Sequence, residues 1–402
     1  MHMIGKETKP YGSWKSPITS SLIVESAIKL GEIVIDNEII YWNETRPTEK
    51  GRSVIIKWDQ SQAKDVLPKE YNARTRVHEY GGGSFTVYEG TLYFSNFTNQ
   101  HFYSLSPLGI LNDLTKDDTK RYANPVFDAK HHCIFAIEEE HQSEKIVINS
   151  LVKIDPTGNK PPEKIHSEYD FYGTPVVNNS CTQLAFFAWN HPNMPWDGTD
   201  LFLADLNPDG SLANLKQIAG GVNESIFQPR FAPDHSLYFV SDKTGWWNLY
   251  RYSEGRMEAC FPMEGEFGIP LWVFGTSRYD FISDEKGYRI ACIYTVKGTD
   301  FLALLDPFEK KLETLSLPFT NYSDLHVCGS KLIFKGASPV TIRSVISYDL
   351  ISKKIDTLRK AKEIDLDSGY ISIPETIEFT TTGGTTAFGF YYPPKNKDFI
   401  LP

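Results

Sequence analysis

Side chains able to do chemistry are most concentrated in a short run that begins at Arg74 and reads RTRVHEYGGG. Arg74, Arg76, His78 and Glu79 directly precede three glycines, where we predict that an innermost strand begins. Glycine has no Cβ, so another backbone can approach closely at these positions. Two interpretations stay open. The charges line a channel or an interdomain surface and bind a ligand, or they pair with one another and stabilise the fold.

A second candidate is a proline-rich stretch that carries His191, Trp196 and Asp197. Its prolines make it stiff, and the indole of tryptophan combines a large apolar surface with one polar edge. Loops on a rigid scaffold often carry function. Contact with a substrate or another domain, and simple packing of the loop, are both consistent with this composition.

Histidines elsewhere do not have the spacing of a metal site. His78 and Glu79 form the only His-Glu pair, and a zinc protease needs a second histidine where this chain has Gly82. His131 and His132 are predicted to lie in a solvated turn, without a carboxylate or cysteine placed to complete a ligand set. We assign no metal and no cofactor.

Serines that follow the pattern G-x-S do not complete a nucleophile motif. A serine hydrolase of the α/β type presents its nucleophile in G-x-S-x-G, because the sharp turn around it needs glycines. The candidates are Ser53, Ser84, Ser277 and Ser338, and the second residue after each is Ile55, Thr86, Tyr279 and Val340. We therefore expect no catalytic residue in this chain.

A repeat extends along most of the sequence and positions these candidates. Its template, from Phe227 to about Phe261, reads as four short strands separated by turn clusters. Its second strand recurs from Ile39, Leu92, Ile134, Leu184, Leu237, Ile290 and Leu332, at spacings of 53, 42, 50, 53, 53 and 42 residues. Four strands per unit at this period are typical of a β-propeller. The prediction is all-β: seven blades of four antiparallel strands.

The first and last blades are each complete in contiguous sequence, from Lys29 to about Val66 and from about Tyr322 to Arg359. We therefore predict a ring that is not closed by a shared strand and is held at that seam by side-chain packing alone.

Two local features of blades 5 and 6 are also predicted. In blade 6 the run PLWVFGTS is assigned to the first strand. Trp246 and Trp247 are predicted to pack in the core.

Composition excludes several classes of protein. The net charge is −10 with acids and bases interspersed, whereas nucleic-acid binding needs a basic surface. The five cysteines are scattered without a C-x-x-C pair, which favours free thiols in a reducing compartment. We find neither a signal peptide nor an apolar run long enough for a membrane span, and expect a cytoplasmic protein without a nucleic-acid or membrane partner.

The ends of the chain stand outside the repeat. Residues 1–30 form an extension with a short helix capped at Thr19 or Ser20, whose apolar side chains are Leu22, Ile23, Ala27 and Leu30. Residues 31–360 form the propeller. Residues 361–402 contain a predicted hairpin around Gly383-Gly384 that belongs to no blade.

Several long motifs resemble the prolyl oligopeptidase family of serine peptidases, in particular its acylaminoacyl-peptidase and dipeptidyl-aminopeptidase-like branch. They are RTRVHEYGGGSFTV from Arg74, WNHPNMPWDGTDLF from Trp189, SIFQPRFAPD from Ser225 with LYFVSDKTGWWNLYR from Leu237, and PETIEFTTTGGTTAFGFYYPP from Pro374. The resemblance covers essentially the whole chain.

The resemblance implies an unclosed seven-bladed propeller that caps an α/β-hydrolase domain and limits access to its Ser-His-Asp triad. Residues 11–30 and 369–402 match segments that pack on the hydrolase, and residues 361–402 would begin that domain. The expected function is substrate access and specificity in a peptidase acting on short peptides. Arg74, Arg76, His78 and Glu79 are candidates for facing the channel or hydrolase and holding a peptide end, and the alternative that they pair with one another stays open. Without the hydrolase domain, we expect this chain to be inactive and its exposed C-terminal segment to support a homodimer. The alternative is a solitary propeller that acts as a protein-interaction scaffold.

Overall fold

The structure is a computed structural model that describes residues 6–24, 27–285, 287–363 and 366–402. Seven four-stranded antiparallel sheets follow one another along the chain, and in each the strands pair in sequence order. Runs of β-branched and aromatic residues form the strands, and clusters of Gly, Asn, Asp and Pro separate them. The predicted seven-bladed propeller is confirmed.

The strands of blade 1 are Lys29–Asp36, Ile39–Arg46, Arg52–Trp58 and Ala63–Asp65; those of blade 2 are Phe85–Tyr88, Thr91–Ser95, Phe102–Leu105 and Leu111–Asp113; and those of blade 3 are Lys120–Asp128, Cys133–His141, Val147–Ile154 and Glu163–His166. Blade 4 has Phe171–Val177, Gln183–Trp189, Thr199–Leu206 and Leu212–Gly221, and blade 5 has Ile226–Phe231, Leu237–Ser241, Asn248–Ser253 and Arg256–Ala259. Blade 6 has Tyr279–Asp284, Gly287–Val296, Thr299–Asp306 and Lys311–Thr314, and blade 7 has Asn321–Cys328, Lys331–Ser338, Thr341–Asp349 and Ile355–Lys360. The predicted second strands all lie in these second positions.

The core lies between neighbouring blades, where the facing sheets interdigitate. One cluster joins Trp42 and Ile55 of blade 1 to Phe94 of blade 2 and to Ile333 and Val345 of blade 7. Burial of each large side chain stabilises the fold by roughly 1.5–3 kcal/mol. Every blade therefore depends on the blades beside it.

Among the residues that the structure describes, no sheet is shared between blades 1 and 7, as predicted. The expectation that packing alone holds this seam is wrong. Asp324 of blade 7 accepts a hydrogen bond of 2.8 Å from the backbone N–H of Ile33, and Lys335 donates one of 2.8 Å to the carbonyl of Gly31. Arg359 forms two hydrogen bonds with the buried carboxylate of Glu44, at 2.6 and 3.0 Å. Side chains replace the strand pairing that closes many rings.

Three local predictions about side chains and strands are corrected. The inner strand of blade 6 is Tyr279–Asp284, so the run PLWVFGTS lies in the loop before it. Trp247 packs against the core, but Trp246 is 39% exposed because the strand begins only at Asn248. The side chain of His131 is only 3% exposed and bonds Asp128 at 2.7 Å, so it is not solvated.

The two ends of the chain pack against each other. The helix spans only Ser20–Val24, capped by the hydroxyl of Thr19; the predicted stretch also includes residues 25 and 26, which lie outside the described residues, and Leu30 instead belongs to blade 1. Glu7–Thr8 pairs in parallel with Phe399–Ile400. The single-turn 3-10 helices are Pro47–Glu49 and Ser368–Tyr370.

The predicted hairpin is present as Glu375–Thr380 and Thr386–Tyr391, hereafter the tail hairpin. It touches the ring through an ion pair between Glu378 and Lys297 and through Phe390, which lies against Gly298. All five cysteines are free thiols. In the described part of the chain, no helix is long and apolar enough to cross a membrane.

Candidate functional site

Both candidate sites lie on one face of the ring. The four strands of a blade alternate in direction, so the loop between strands 2 and 3 and the connector to the next blade project from the same face. Arg74, Arg76, His78 and Glu79 lie in the connector from blade 1 to blade 2, and His191, Trp196 and Asp197 lie in the strand 2–3 loop of blade 4. Both chain ends leave the ring on this face, hereafter the tail face.

Two connectors on the tail face are much longer than the others. Residues 66–84 lead into blade 2 and residues 260–278 lead into blade 6, whereas the connectors 114–119, 167–170, 222–225 and 315–320 have four to six residues. Blades 2 and 6 are not neighbours, yet the long connectors meet. The N–H of Phe274 donates to the carbonyl of Gly81 at 2.9 Å, and Gly82 forms a parallel bridge with Phe274. The connectors therefore cross the central opening.

The three glycines make this crossing possible, although they lie in a turn and the strand begins only at Phe85. Gly81, Gly82 and Gly83 all have positive φ, from 55° to 85°. A Cβ on Gly82 would lie 2.3 Å from the carbonyl oxygen of Phe274. The prediction that another backbone approaches here is confirmed, and that backbone belongs to the second long connector.

His78 does not face a channel or a ligand. Its ring lies 5.0 to 5.6 Å from the rings of Phe171, Trp189 and Phe274, and its Nε2 has no hydrogen-bond partner among the described residues. Burial lowers the pKa of His78 to about 4, so the imidazole is neutral near pH 7. His78 anchors the connector in the apolar core.

Glu79 belongs to an ion-pair network. Its carboxylate lies 2.8 Å from Arg121, which also pairs with Glu139 of the same blade at 3.1 Å. The hydrogen bond from Arg121 holds the pKa of Glu79 below its usual value. For Glu79, the interpretation that charged groups pair to stabilise the fold accounts for the geometry.

Arg74 and Arg76 behave differently, because both guanidinium groups are exposed. They lie over the ring of Phe97, at 4.8 and 5.4 Å from its centroid. Among the described residues, no carboxylate lies within 4 Å of either group, although the backbone N–H of Arg76 bonds Gln100. These are two cations held in place by an aromatic ring and available to an anion.

A cavity of about 310 Å³ lies beside the crossing connectors, at the tail-face end of the inner strands. Its lining includes Arg74, Tyr80, Lys335 and the carboxylates of Glu32 and Asp324. Glu32 accepts hydrogen bonds from the N–H groups of Gly83 and Ser84, and burial raises its pKa. The cavity thus combines a free cation with charges that are already paired.

Three of the four G-x-S serines line this cavity, but each is engaged in the framework. The hydroxyl of Ser84 bonds Glu32 at 2.5 Å, that of Ser277 donates to the carbonyl of Leu325 at 2.7 Å, and that of Ser53 bonds Thr45 at 2.8 Å. The carboxylate of Glu32 also holds two backbone N–H groups, so its bond to Ser84 ties blade 1 to blade 2.

Of the three candidates in the strand 2–3 loop of blade 4, only Trp196 contacts the crossing connectors. Trp196 contacts Trp272 of the long blade 5–6 connector, with ring centroids 4.4 Å apart. His191 lies on Phe171 and bonds Asp170 at 3.1 Å, and Asp197 accepts the N–H of Met194. His191 and Asp197 therefore hold loop structure, whereas Trp196 joins the two sites.

The candidates predicted from the sequence include neither the blade 5–6 connector nor Trp272. The repeat spacing does not reveal this connector, because it is 53 residues before blade 5, which follows a short connector, as well as before blades 2 and 6. Part of this connector was assigned to a strand because the run PLWVFGTS has the composition of one. Only the contact with Gly82 shows that this segment crosses the ring.

No family model matches the sequence, and no curated protein matches it either. Solved structures do match. A Mycobacterium tuberculosis puromycin-hydrolyzing peptidase is 28% identical with a TM-score of 0.91, and the match covers 99% of this chain and 63% of that one. A puromycin hydrolase is 28% identical with a TM-score of 0.89, over 98% of this chain and 63% of that one.

Prolyl oligopeptidase B from Galerina marginata shares the fold at 10% identity and a TM-score of 0.65, over 91% of this chain and 55% of that one. The chain thus spans less than two thirds of the length of each of these proteins. The likeness in fold and, for the puromycin hydrolases, in sequence extends over nearly every blade. These comparisons support a propeller domain like those of the puromycin hydrolases and prolyl oligopeptidases.

Proposed function

We propose that this chain is the access and specificity propeller of a serine peptidase that hydrolyses short peptides. The observation that carries the proposal is the likeness, over almost the whole chain, to peptidases of which it spans less than two thirds. On this proposal the Ser-His-Asp triad lies in an α/β-hydrolase domain outside this sequence. Residues 1–30 and 361–402 flank the propeller, 31–360, and contact that domain.

The tail hairpin supports a partner on the tail face. Its first strand is exposed along its length and its second strand is mostly exposed, with Ile377, Phe379, Phe388 and Phe390 between 42 and 51% exposed. A two-stranded hairpin is marginally stable in water without a surface to pack on. A hydrolase domain that covers this hairpin would also cover the crossing connectors, because both lie on the tail face.

Within this arrangement, Arg74 and Arg76 are the residues we propose to contact a peptide end. Both are exposed, both lack a carboxylate partner among the described residues, and both project from the face that the hydrolase would cover. Trp196 contributes to the same surface. His78 supports that surface from the core, whereas Glu79, His191 and Asp197 are exposed but engaged in contacts with neighbouring residues. The free thiols fit a cytoplasmic location.

The test compares the 402-residue chain with the longer product of its gene. We expect no turnover of aminoacyl or peptidyl amides by the chain alone, because its serines are engaged in the ring. The longer product should hydrolyse such amides, puromycin among them, and react with a fluorophosphonate. Fluorophosphonate-sensitive turnover by the chain alone, or an inactive longer product that nevertheless binds protein partners, would contradict the proposal and favour a scaffold.

The arginines are tested in the active protein with Arg74→Gln and Arg76→Gln together. We expect KM for peptides to rise about tenfold, which corresponds to the loss of charge-assisted hydrogen bonds, while unfolding in urea is unchanged. Arg256→Gln, at an exposed position on the outer strand of blade 5, is the matched control. An unchanged KM removes these residues from the substrate site.

We further propose that the isolated chain dimerises through the tail hairpin, since its apolar side chains then have no other cover. Deletion of residues 370–402 should leave the ring folded and give a monomer in sedimentation. A truncated chain that unfolds would show that the tail is part of the ring.

A further inference from the structure

Three aromatic side chains from three separate segments meet on the tail face. Trp272 lies between Tyr80 and Trp196, with ring centroids 5.4 and 4.4 Å apart. Tyr80 is 61% exposed and Trp272 50% exposed, while Trp196 is half-buried. We call these three residues the aromatic shelf. Large aromatic side chains at this exposure are unusual unless something covers them.

Hydrogen bonds and buried neighbours fix the segments that carry the aromatic shelf. Tyr80 precedes the glycines that bond Phe274, and Phe274 is itself buried beside His78. Trp196 follows Pro195, whose carbonyl accepts a hydrogen bond of 2.8 Å from the buried hydroxyl of Ser225. The rings are therefore positioned before any ligand arrives, so little conformational entropy is lost on binding.

The charge beside the shelf indicates what covers it. Tyr80 and Val273 line the cavity of about 310 Å³ together with Arg74, whose guanidinium has no carboxylate within 4 Å among the described residues. Arg76 lies over the same phenylalanine ring as Arg74. In a chain with a net charge of −10, an apolar surface beside two free cations is complementary to an aromatic group that carries a negative charge.

We propose that the aromatic shelf binds the aromatic side chain of a short anionic peptide and so determines substrate preference. The inference rests on the proposed function only in taking a peptide as the ligand. Trp272 stacks with the incoming ring, Tyr80 and Trp196 flank it, and the peptide's carboxylate extends towards Arg74. The shelf binds and positions the substrate and takes no part in bond cleavage.

The test is calorimetric titration of the 402-residue chain with N-acetyl-Gly-Phe, N-acetyl-Gly-Ala and N-acetyl-Gly-Phe amide. Loss of a stacked ring or of a charge-assisted contact each corresponds to about a tenfold change in Kd. We expect the phenylalanine peptide to bind about tenfold more tightly than either of the others. Equal binding of the phenylalanine and alanine peptides, or no saturation of the phenylalanine peptide below about 10 mM, overturns the proposal.

Variants separate the shelf from general apolar binding. Trp272→Ala should abolish the preference for phenylalanine over alanine, and Tyr80→Ser should reduce it, with both proteins folded because both side chains are exposed. Trp246→Ala is the matched control, since Trp246 is 39% exposed and lies outside the shelf. Loss of the preference in the control variant would contradict the proposal.

If a nucleotide or a second copy of the chain occupied the aromatic shelf instead, the titrations would give different results. Tighter binding of AMP than of the phenylalanine peptide would assign the shelf to a nucleotide. Peptide binding that appears only when dimers are dissociated by dilution would assign it to a second copy of the chain. Either result overturns the shelf proposal and leaves the peptidase proposal standing, because the latter is tested by turnover in the longer protein.

Discussion

The seam between blades 7 and 1 and the seam between blades 6 and 7 use the same bond but differ in what supports it. In the first, Asp324 accepts the N–H of Ile33 at 2.8 Å; in the second, Asp280 accepts the N–H of Val327 at 2.8 Å. The chain runs continuously through the second seam only. The first seam is also tied by Lys335 and by the buried Glu44 with the half-buried Arg359, and the second by Ser277 with Leu325 and by Asp300 with Tyr322.

The difference shows how a ring can close without a shared strand. A seam joined from opposite ends of the chain has no connector to hold the blades together, so its polar side chains must carry that role. Burial opposes the ionisation of Asp324, but Lys335 and His326 outweigh it and hold the pKa of Asp324 below its usual value. Asp280 instead pairs with Arg230, which is 35% exposed and can turn to water.

The largest expected effect comes from Asp324→Ala. Removal of one partner from a buried ion pair leaves Lys335 uncompensated and the N–H of Ile33 unsatisfied, which should lower the free energy of unfolding by about 3–5 kcal/mol. Asp280→Ala should cost about 1–3 kcal/mol. Urea unfolding followed by circular dichroism measures both, and a larger loss in the Asp280 variant would reverse the comparison.

Glu44→Gln tests the second tie of the closing seam. The carboxylate is fully buried and holds Arg359, Arg46 and the indole N–H of Trp42. Loss of its charge should cost about 2–3 kcal/mol, as for hydrogen bonds to charged groups. Asp356→Asn removes an exposed pair with Lys354 and should cost less than about 1 kcal/mol. Equal losses would mean that burial does not distinguish these pairs.

The closing seam and the crossing connectors should lose stability in different pH ranges. His78 is neutral in the fold because burial lowers its pKa to about 4, so its contribution is complete above about pH 6.5 and is lost between pH 6.5 and 4. That loss should amount to at most about 3 kcal/mol. The contribution of Asp324 is lost at lower pH, as the pH falls below 3.8 and through its folded pKa.

His78→Gln should therefore flatten the stability profile between pH 6.5 and 4, whereas His235→Gln, at an exposed position, should not. Urea unfolding at a series of pH values gives the profile. A profile that keeps its slope in the His78 variant would assign the acid sensitivity to another group.

The smallest expected difference concerns the two equivalent amides. Because Ile33 and Val327 both donate to a buried carboxylate, their hydrogen exchange rates should agree within about tenfold, in spite of the chain break at one seam. Exchange at Ile33 that is about a hundredfold faster would show that side chains do not replace chain continuity.

Much of this fold can be predicted from the sequence, because each blade is built from residues that are close together in the chain. Alternating apolar residues, turn clusters and a period of 42 to 53 residues give the number of blades, the second strand of each and the unshared seam. The tail hairpin can be predicted for the same reason, since its turn at Gly383-Gly384 and its alternating strands are local features.

The site could be predicted only in part, because its parts come from distant segments. Sequence placed Arg74 and Trp196 among the candidates, yet gave no sign that Trp272 lies between two such segments or that His78 is enclosed by three aromatic rings. Composition also favoured a strand at PLWVFGTS, where the chain instead crosses the ring.

Local pattern thus determined the propeller, its blades and their order, since strand and turn preferences act between residues close in sequence. Tertiary structure alone decided which charges are paired and which are free. Glu79 and Arg74 are five residues apart, but Glu79 pairs with Arg121 of blade 3 while Arg74 lies over the ring of Phe97. That outcome depends on how blades and connectors approach one another in space, where burial and partner distance set the energy of a charge.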